Sequence, residues 1–361
     1  MKVEGRWRRA IELSEDRTVS VLDQAQLPYA IAWLPLHDVA DAARAIRDMH
    51  VRGAPLIGAT AAYGVALAMR DDASDAGLAA AYARLAATRP TAINLRWALD
   101  VMQARLAPVP VGDRVAIAYA HAAQICDDDA TQCEAIGIHG LPVIRGIAAR
   151  VGGRPVNVLT HCNAGWLATV DWGTAIAPIY KAHEAGLRVH VWVDETRPRN
   201  QGLLTAWELA QHGVPHTVIA DNQGGHLMQR GEVDLCIVGT DRTTRNGDVC
   251  NKIGTYLKAL AAHDNGVPFY AAVPSPSIDW TVGEPHEIPI EERHGDEVRF
   301  VRGRDAHGAP SRVEVVAAAS AVANAAFDVT PRRLMTGLIT ERGIAPATRD
   351  GLRALFPEHA S

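Results

Sequence analysis

The 361-residue chain is 48% hydrophobic but only 5% aromatic, enough aliphatic side chain to bury a large core and, at the usual domain size, to form two domains. Its 36 basic and 41 acidic residues leave a net charge of −5, and no Lys/Arg block interleaved with aromatics marks a nucleic-acid partner. The basic start Met1–Arg9 runs into Ile11-Glu12-Leu13 and not into an apolar signal core, no stretch is long and apolar enough to span a bilayer, and the five cysteines are odd in number; a cytoplasmic protein with free thiols and no membrane contact is expected.

Short alternating runs over residues 1–35, among them Thr18-Val19-Ser20-Val21-Leu22 and Ala30-Ile31-Ala32-Trp33-Leu34, predict a small antiparallel sheet. From His37 to about Arg150 the pattern is helical. Ala-rich segments Asp38–Met49, Gly58–Arg70, Gly77–Thr88, Asn94–Leu106 and Asp113–Ile125 are punctuated there by Gly, Pro and Asp. Gly152-Gly153-Arg154-Pro155 breaks the chain. Beyond it, apolar runs Val156–Leu159, Val189–Val193, His216–Ala220, Asp234–Gly239 and Pro268–Val273 alternate with helical patterns. That spacing predicts a βαβαβ parallel sheet with its active face at the carboxyl ends of the strands. The expected fold is α/β: a mainly helical domain with a small antiparallel sheet over residues 1–150, and a parallel α/β domain over residues 151–361. Val315–Ala326, Ala-rich though interrupted, is expected to be helical.

Polar clusters follow those strands. Cys162 comes after Asn157-Val158-Leu159-Thr160 and before Ala164-Gly165-Trp166, where a helix would begin and favour a thiolate; a small buried hydrophobe is the alternative. Asp241 ends the run Val233–Thr240, where an apolar setting would raise its pKa and equip it as general acid and base, unless it only caps a turn. Arg242 beside it could hold a phosphate or pair with a surface carboxylate. Arg52-Gly53-Ala54 precedes a helical pattern, and Asn246-Gly247-Asp248 with Asn251-Lys252 precedes the helical Ile253–Ala262; each offers N–H groups and a cation to an anion. Cys126 and Cys133 lack a metal-finger spacing, and Asp127-Asp128-Asp129 between them reads as a solvated helix start. With no Walker lysine motif and no Gly-x-Gly-x-x-Gly after a strand, neither a P-loop nucleotide nor a dinucleotide is expected.

Read together, Arg52-Gly53-Ala54-Pro55-Leu56-Ile57-Gly58, Arg89-Pro90-Thr91, Thr160-His161-Cys162-Asn163-Ala164-Gly165, Asp194 to Gly202, Gly239-Thr240-Asp241-Arg242, Asn246 to Lys252 and Phe327-Asp328-Val329-Thr330-Pro331 resemble, in order, the methylthioribose-1-phosphate isomerase family of methionine salvage. The resemblance covers roughly residues 20 to 345. It implies a homodimer with a helical N-terminal domain and a Rossmann-like C-terminal domain, acting on a small sugar phosphate without metal or cofactor. Carried over position by position, Cys162 and Asp241 are the catalytic pair. Arg52, Gly53, Ala54, Arg89, Gln201, Asn251 and Lys252 bind substrate, with Arg96 the alternative to Arg89. The superfamily also holds ribose-1,5-bisphosphate isomerase and regulatory subunits of a translation-initiation exchange factor, which bind without catalysis; keeping both Cys162 and Asp241 favours an enzyme.

Two departures from the family pattern stand out. Leu203 alone separates Gln201-Gly202 from Leu204-Thr205-Ala206, one residue fewer than the family has, which predicts a displaced Gln201. Thr240 stands for a common Ala and Trp166 for a smaller residue. A sugar whose C1 oxygen carries phosphate cannot open spontaneously, so the expected chemistry is ring opening with Asp241 as general acid. Cys162 then assists hydrogen transfer from C2 to C1, as a proton through an enediol-like species or as a hydride. Alternative substrates are 5-deoxyribose 1-phosphate or ribose 1,5-bisphosphate; the alternative class is a non-catalytic phosphosugar sensor.

Overall fold

The computed structural model describes residues 1–359. Near its start Val19–Leu22 pairs antiparallel with Ile11–Leu13 on one side and Trp33–Leu36 on the other. The third strand lies further along the chain than the run Ala30–Leu34 suggests, because the Asp23 N to Ala32 O hydrogen bond, 2.8 Å, still belongs to the connecting loop.

Helices Val39–Arg47, Ala54–Asp71, Asp75–Ala86, Ile93–Leu106 and Arg114–Ala148 follow. Asp38 and Ser74 cap the first and third through their side chains. Ala54–Asp71 is apolar on every side because Val39–Arg47, Ile93–Leu106 and Arg114–Ala148 enclose it. The last helix departs most from expectation, running 35 residues straight through Asp127-Asp128-Asp129. Asp129 is not a solvated helix start. It faces inward, accepts from Val170 N at 2.7 Å, and burial pushes its carboxyl up to about 7. Cys126 and Cys133 lie buried on the same helix and form no metal cluster among the described residues. The far end of the helix packs on Ala177–Glu184, so one rod serves both the helical part and the sheet.

The seven-stranded sheet has the order Gly343–Ala345, Gly337–Thr340, Phe269–Ala272, Leu235–Val238, Val156–Thr160, Val189–Asp194, His216–Ile219. Its strands are parallel except for the Gly343–Ala345 edge. From Phe269–Ala272 to His216–Ile219 every strand overlaps one of the apolar runs read from the sequence, whereas Gly337–Thr340 and Gly343–Ala345 extend the sheet beyond them. The chain winds outward from Val156–Thr160 in one direction, then returns to Leu235–Val238 and winds outward in the other. A crevice therefore opens between the carboxyl ends of these two neighbours. A second sheet, in the order Ile278–Asp279, Arg242–Thr244, Val249–Lys252, Phe327–Thr330, borders that crevice.

Residues 281–326 leave this second sheet and fold back over its edge, carrying the hairpin Phe300–Arg304 with Pro310–Glu314. Val315–Ala326 is irregular and not helical. Few of its residues are buried, so helix formation would gain no packed face. Its carbonyls at Ala317 and Ser320 instead accept from Arg299, at 3.0 and 2.8 Å.

Candidate active site

Cys162 and Asp241 leave the carboxyl ends of the two strands that flank the crevice, and both line one cavity. Arg52, Gly53, Ala54, Arg89, Gln201, Asn251 and Lys252 line it too. Arg96 is exposed on the helix Ile93–Leu106 and lies outside that lining; Arg89 is the arginine that reaches the cavity.

The helical part of the chain brings a helix start and an arginine to the cavity. The helix Ala54–Asp71 starts at Gly53 with no side-chain cap, so its first N–H groups face the cavity unclaimed by a side chain. Gly53 has φ +89, and a Cβ there would meet Ala168 O at 2.2 Å; only glycine lets the helix start approach the Trp166–Ala168 turn. Arg52 beside it has no hydrogen-bond or ion-pair partner among the described residues, and its Nε is buried. Burial, with Arg199 adding repulsion, lowers its guanidinium to about 9. A buried cation without a partner is costly in the ligand-free protein and ready for a dianion.

The turn after Val156–Thr160 differs from the expected helix start. Trp166–Ala168 is a single 3₁₀ turn, too short to lend Cys162 a helix dipole. Burial pushes the thiol up to about 11 in spite of Lys252 and Arg52, so the neutral thiol is the resting form. Cys162 sits at φ +70, a left-handed conformation that a non-glycine residue keeps only under constraint. Thr196 Oγ1 accepts its N–H at 2.9 Å and Thr205 Oγ1 donates to its C=O at 2.9 Å. Glu208, fully buried, accepts from Asn163 Nδ2 at 3.0 Å and Leu167 N at 2.9 Å. Its carboxyl is pushed up to about 7 by burial. Thr205 and Glu208 both stand on the helix Gly202–His212, which thereby sets the Cys162 turn. Gln201 precedes that helix and reaches the cavity despite the shortened connection. Gly202 holds the place, since a Cβ on it would meet Asp194 O at 1.7 Å.

Asp241 donates its own N–H to Cys250 O at 2.9 Å, while its carboxyl has no hydrogen bond among the described residues. Burial raises that carboxyl from its ordinary value, opposed chiefly by Lys252 and Arg89. Asn251 and Lys252 arrive as side chains of the strand Val249–Lys252 and not from an amide nest before a helix; the helix begins only at Thr255. Asn246 is tied away from the site to Gly283 O at 2.8 Å. Lys252 Nζ donates to Ala326 O at 2.9 Å and lies 4.5 Å from the Phe327 ring centroid. Burial lowers its ammonium. Arg242 serves structure: it pairs with Asp279 at 3.2 Å and donates to Thr91 O at 2.8 Å.

Two groups escaped sequence reading. Arg293, on the 281–326 excursion, lines the cavity, and its neighbour Glu291 pairs with Arg89 at 3.2 Å. The acidic-basic run Glu291-Glu292-Arg293 was the available signal, hidden in a segment that reads as loop. Behind Cys162, His161 Nδ1 lies 2.9 Å from Asp194 Oδ2, and Asp221 completes a cluster of potential metal ligands. Lys258 Nζ already stands 3.2 Å from the same Asp194 oxygen, so an ammonium occupies the place of a cation.

An open, doubly wound sheet with its reactive side chains at the switch point defines the class. Residues 50–347 match the Initiation factor 2 subunit family. A methylthioribose-1-phosphate isomerase from Paramagnetospirillum magneticum is 63% identical over 363 residues, covering 100% of both chains. A crystal structure of 5-methylthioribose 1-phosphate isomerase from Pyrococcus horikoshii OT3 is 37% identical with a TM-score of 0.84, over 98% of this chain and 97% of that one. A crystal structure of the translation initiation factor eIF-2B, subunit delta, from A. fulgidus is 34% identical with a TM-score of 0.81, over 97% of this chain and 100% of the other. The chain belongs to the Initiation factor 2 subunit family and, within it, to the methylthioribose-1-phosphate isomerases. No helix among the described residues is long and apolar enough to cross a membrane.

Proposed function

We propose that the chain converts 5-methylthioribose 1-phosphate to 5-methylthioribulose 1-phosphate, with Asp241 and Cys162 as the catalytic pair. The observation that carries this reading is the meeting of a carboxyl with raised pKa, a neutral thiol and an unpartnered arginine in one cavity. The whole-chain identity to an isomerase supports it.

The phosphate dianion takes Arg52, Arg89, Lys252 and the N–H groups after Gly53, while Gln201 and Asn251 orient the sugar. Asp241 gives its proton to the ring oxygen, the C1 to ring-oxygen bond breaks, and positive charge gathers at C1. Hydrogen leaves C2 with its electron pair and joins C1. The C2 hydroxyl proton passes to the Asp241 carboxylate, which restores the acid and leaves a C2 ketone. Oxidation at C2 balances reduction at C1, so no outside redox partner enters. A thiol held near 11 is a poor base at neutral pH, which favours the hydride route over the enediol. Cys162 then stabilises the transition state through its polarisable sulfur. Leu204 and Pro274 in the same lining offer an apolar place for the methylthio group, where a second phosphate would lose its hydration.

Turnover of 5-methylthioribose 1-phosphate by the purified chain in D₂O, without added cofactor, tests both levels. Product free of deuterium at C1 is expected. Deuterium at C1 would reinstate the enediol route, and absence of turnover would refute the isomerase. The A. fulgidus likeness makes a non-catalytic sugar-phosphate sensor the second reading, which saturable binding without turnover would select. The homodimer belongs to the same proposal, and sedimentation equilibrium checks it.

A further inference from the structure

We propose that Arg293 is a substrate-binding residue, a guanidinium that the 281–326 excursion brings into the same cavity as the Arg52 cradle to meet the phosphate dianion. The inference rests on the sugar-phosphate reading of the cavity.

Four cations line that cavity, Arg52, Arg89, Lys252 and Arg293, against the single carboxylate of Asp241. Lys252 ends a strand, Arg52 stands just before a helix and Arg89 lies in the connection between two helices. Arg293 comes from the excursion, against Met49. Its side chain is only 9% exposed, so it is not a solvated surface arginine, yet its protein partners are too few for a buried guanidinium. Nη2 lies 3.0 Å from Glu297 Oε1 and 3.0 Å from the Met49 sulfur. A thioether is a weak acceptor, and the Glu297 oxygen is shared with Arg199 Nη1 at 2.9 Å. One carboxylate thus faces two guanidiniums, and Nε and Nη1 of Arg293 have no partner among the described residues. Burial lowers the guanidinium from its ordinary value, with Arg89 and Arg199 adding repulsion. With Glu297 and Glu291 set against Arg293, Arg199 and Arg89, one positive charge is left over for an anion.

The bland alternative is that Arg293 only latches the excursion through Glu297. The two roles separate in steady-state kinetics on the full chain with 5-methylthioribose 1-phosphate. If Arg293 holds the dianion, Arg293→Met raises KM about 10- to 100-fold with kcat changed less than about threefold, as expected for binding made equally in ground and transition states. Arg293→Gln, which keeps a donor for Glu297, carries the same expectation should the apolar variant fail to fold. Glu297→Gln removes the latch but leaves the guanidinium, so its KM stays within about threefold of the parent. An unchanged KM in the Arg293 variants overturns the proposal, and so does a Glu297→Gln variant that loses as much as they do. Arg52→Met, measured alongside, raises KM in either event if the cavity binds phosphate. Were it and the Arg293 variants alike without effect while the parent turns over, the sugar-phosphate reading of this cavity itself would fall.

Discussion

Replacing Arg52 with Met should weaken ligand binding and strengthen the ligand-free protein at the same time. The guanidinium has no hydrogen-bond or ion-pair partner among the described residues, and burial brings its pKa from 12.5 to about 9. Its charged form is therefore disfavoured in the folded state at every pH below about 9, and that cost is present in full at pH 7. After relaxation the penalty is on the order of a few kcal/mol. Met keeps most of the volume and removes the charge. Thermal denaturation of the ligand-free variant should give a Tm higher by several degrees, since each kcal/mol moves Tm by roughly 2–4 °C in a chain of this order of size. Binding moves the other way: charge-assisted hydrogen bonds to phosphate contribute about 1.5–3 kcal/mol, so Kd for product should rise about 10- to 150-fold. The parent should gain about 2.7 kcal/mol from ligand at a hundred times Kd, and the variant, at the same ligand concentration, about 0.3–1.4 kcal/mol. A variant that loses Tm without ligand would refute this reasoning, since it would make Arg52 a structural residue.

Cys162→Ser and Asp241→Asn should each lose at least about a hundredfold in kcat while still binding product, the scale of a lost acid-base group; near-parental turnover in either one removes it from the chemistry. Iodoacetamide should label Cys162 slowly at pH 7 and faster up to its value of about 11, because the thiolate is the reacting form; rapid labelling at pH 7 contradicts a neutral thiol. Glu208 and Asp129 both hold their protons up to about 7 in the fold, above ordinary values of 4.5 and 3.8. Their contribution to stability is complete below the unfolded values and is lost as pH rises through about 7. Glu208→Gln should flatten the urea-midpoint profile over that window by about one proton, and a profile identical to the parent's would place the titration elsewhere.

Val156–Thr160, Val189–Asp194 and Leu235–Val238 were legible because each is a short, mostly aliphatic run closed by Thr, Asp or Gly, largely buried in the sheet. The site residues were legible for a related reason: side chains at strand ends and helix starts are placed by the backbone itself, so Cys162, Asp241 and Gly53 follow from where elements stop. Asp129 was not legible, since an inward carboxylate in an acidic run has the same sequence signature as a solvated one. Val315–Ala326 failed for the converse reason. Its composition favours a helix, but most of its apolar side chains have nothing packed against them and stay exposed, and Arg299 takes its carbonyls. The reactivity of Cys162 also depends on tertiary surroundings, because the turn that follows it proved too short to act as a helix terminus.

The cavity divides its work between two bodies. On the proposed function, anion capture belongs to the helix start at Gly53, whereas Cys162 and Asp241 stand on strand ends of the parallel sheet. Altering two side chains at those strand ends would silence the chemistry and leave the phosphate cradle, the sheet and the interdomain rod as they are. On the proposed function, catalyst and receptor are neighbouring states of one architecture. A scaffold so divided would still recognise its ligand after losing the chemistry.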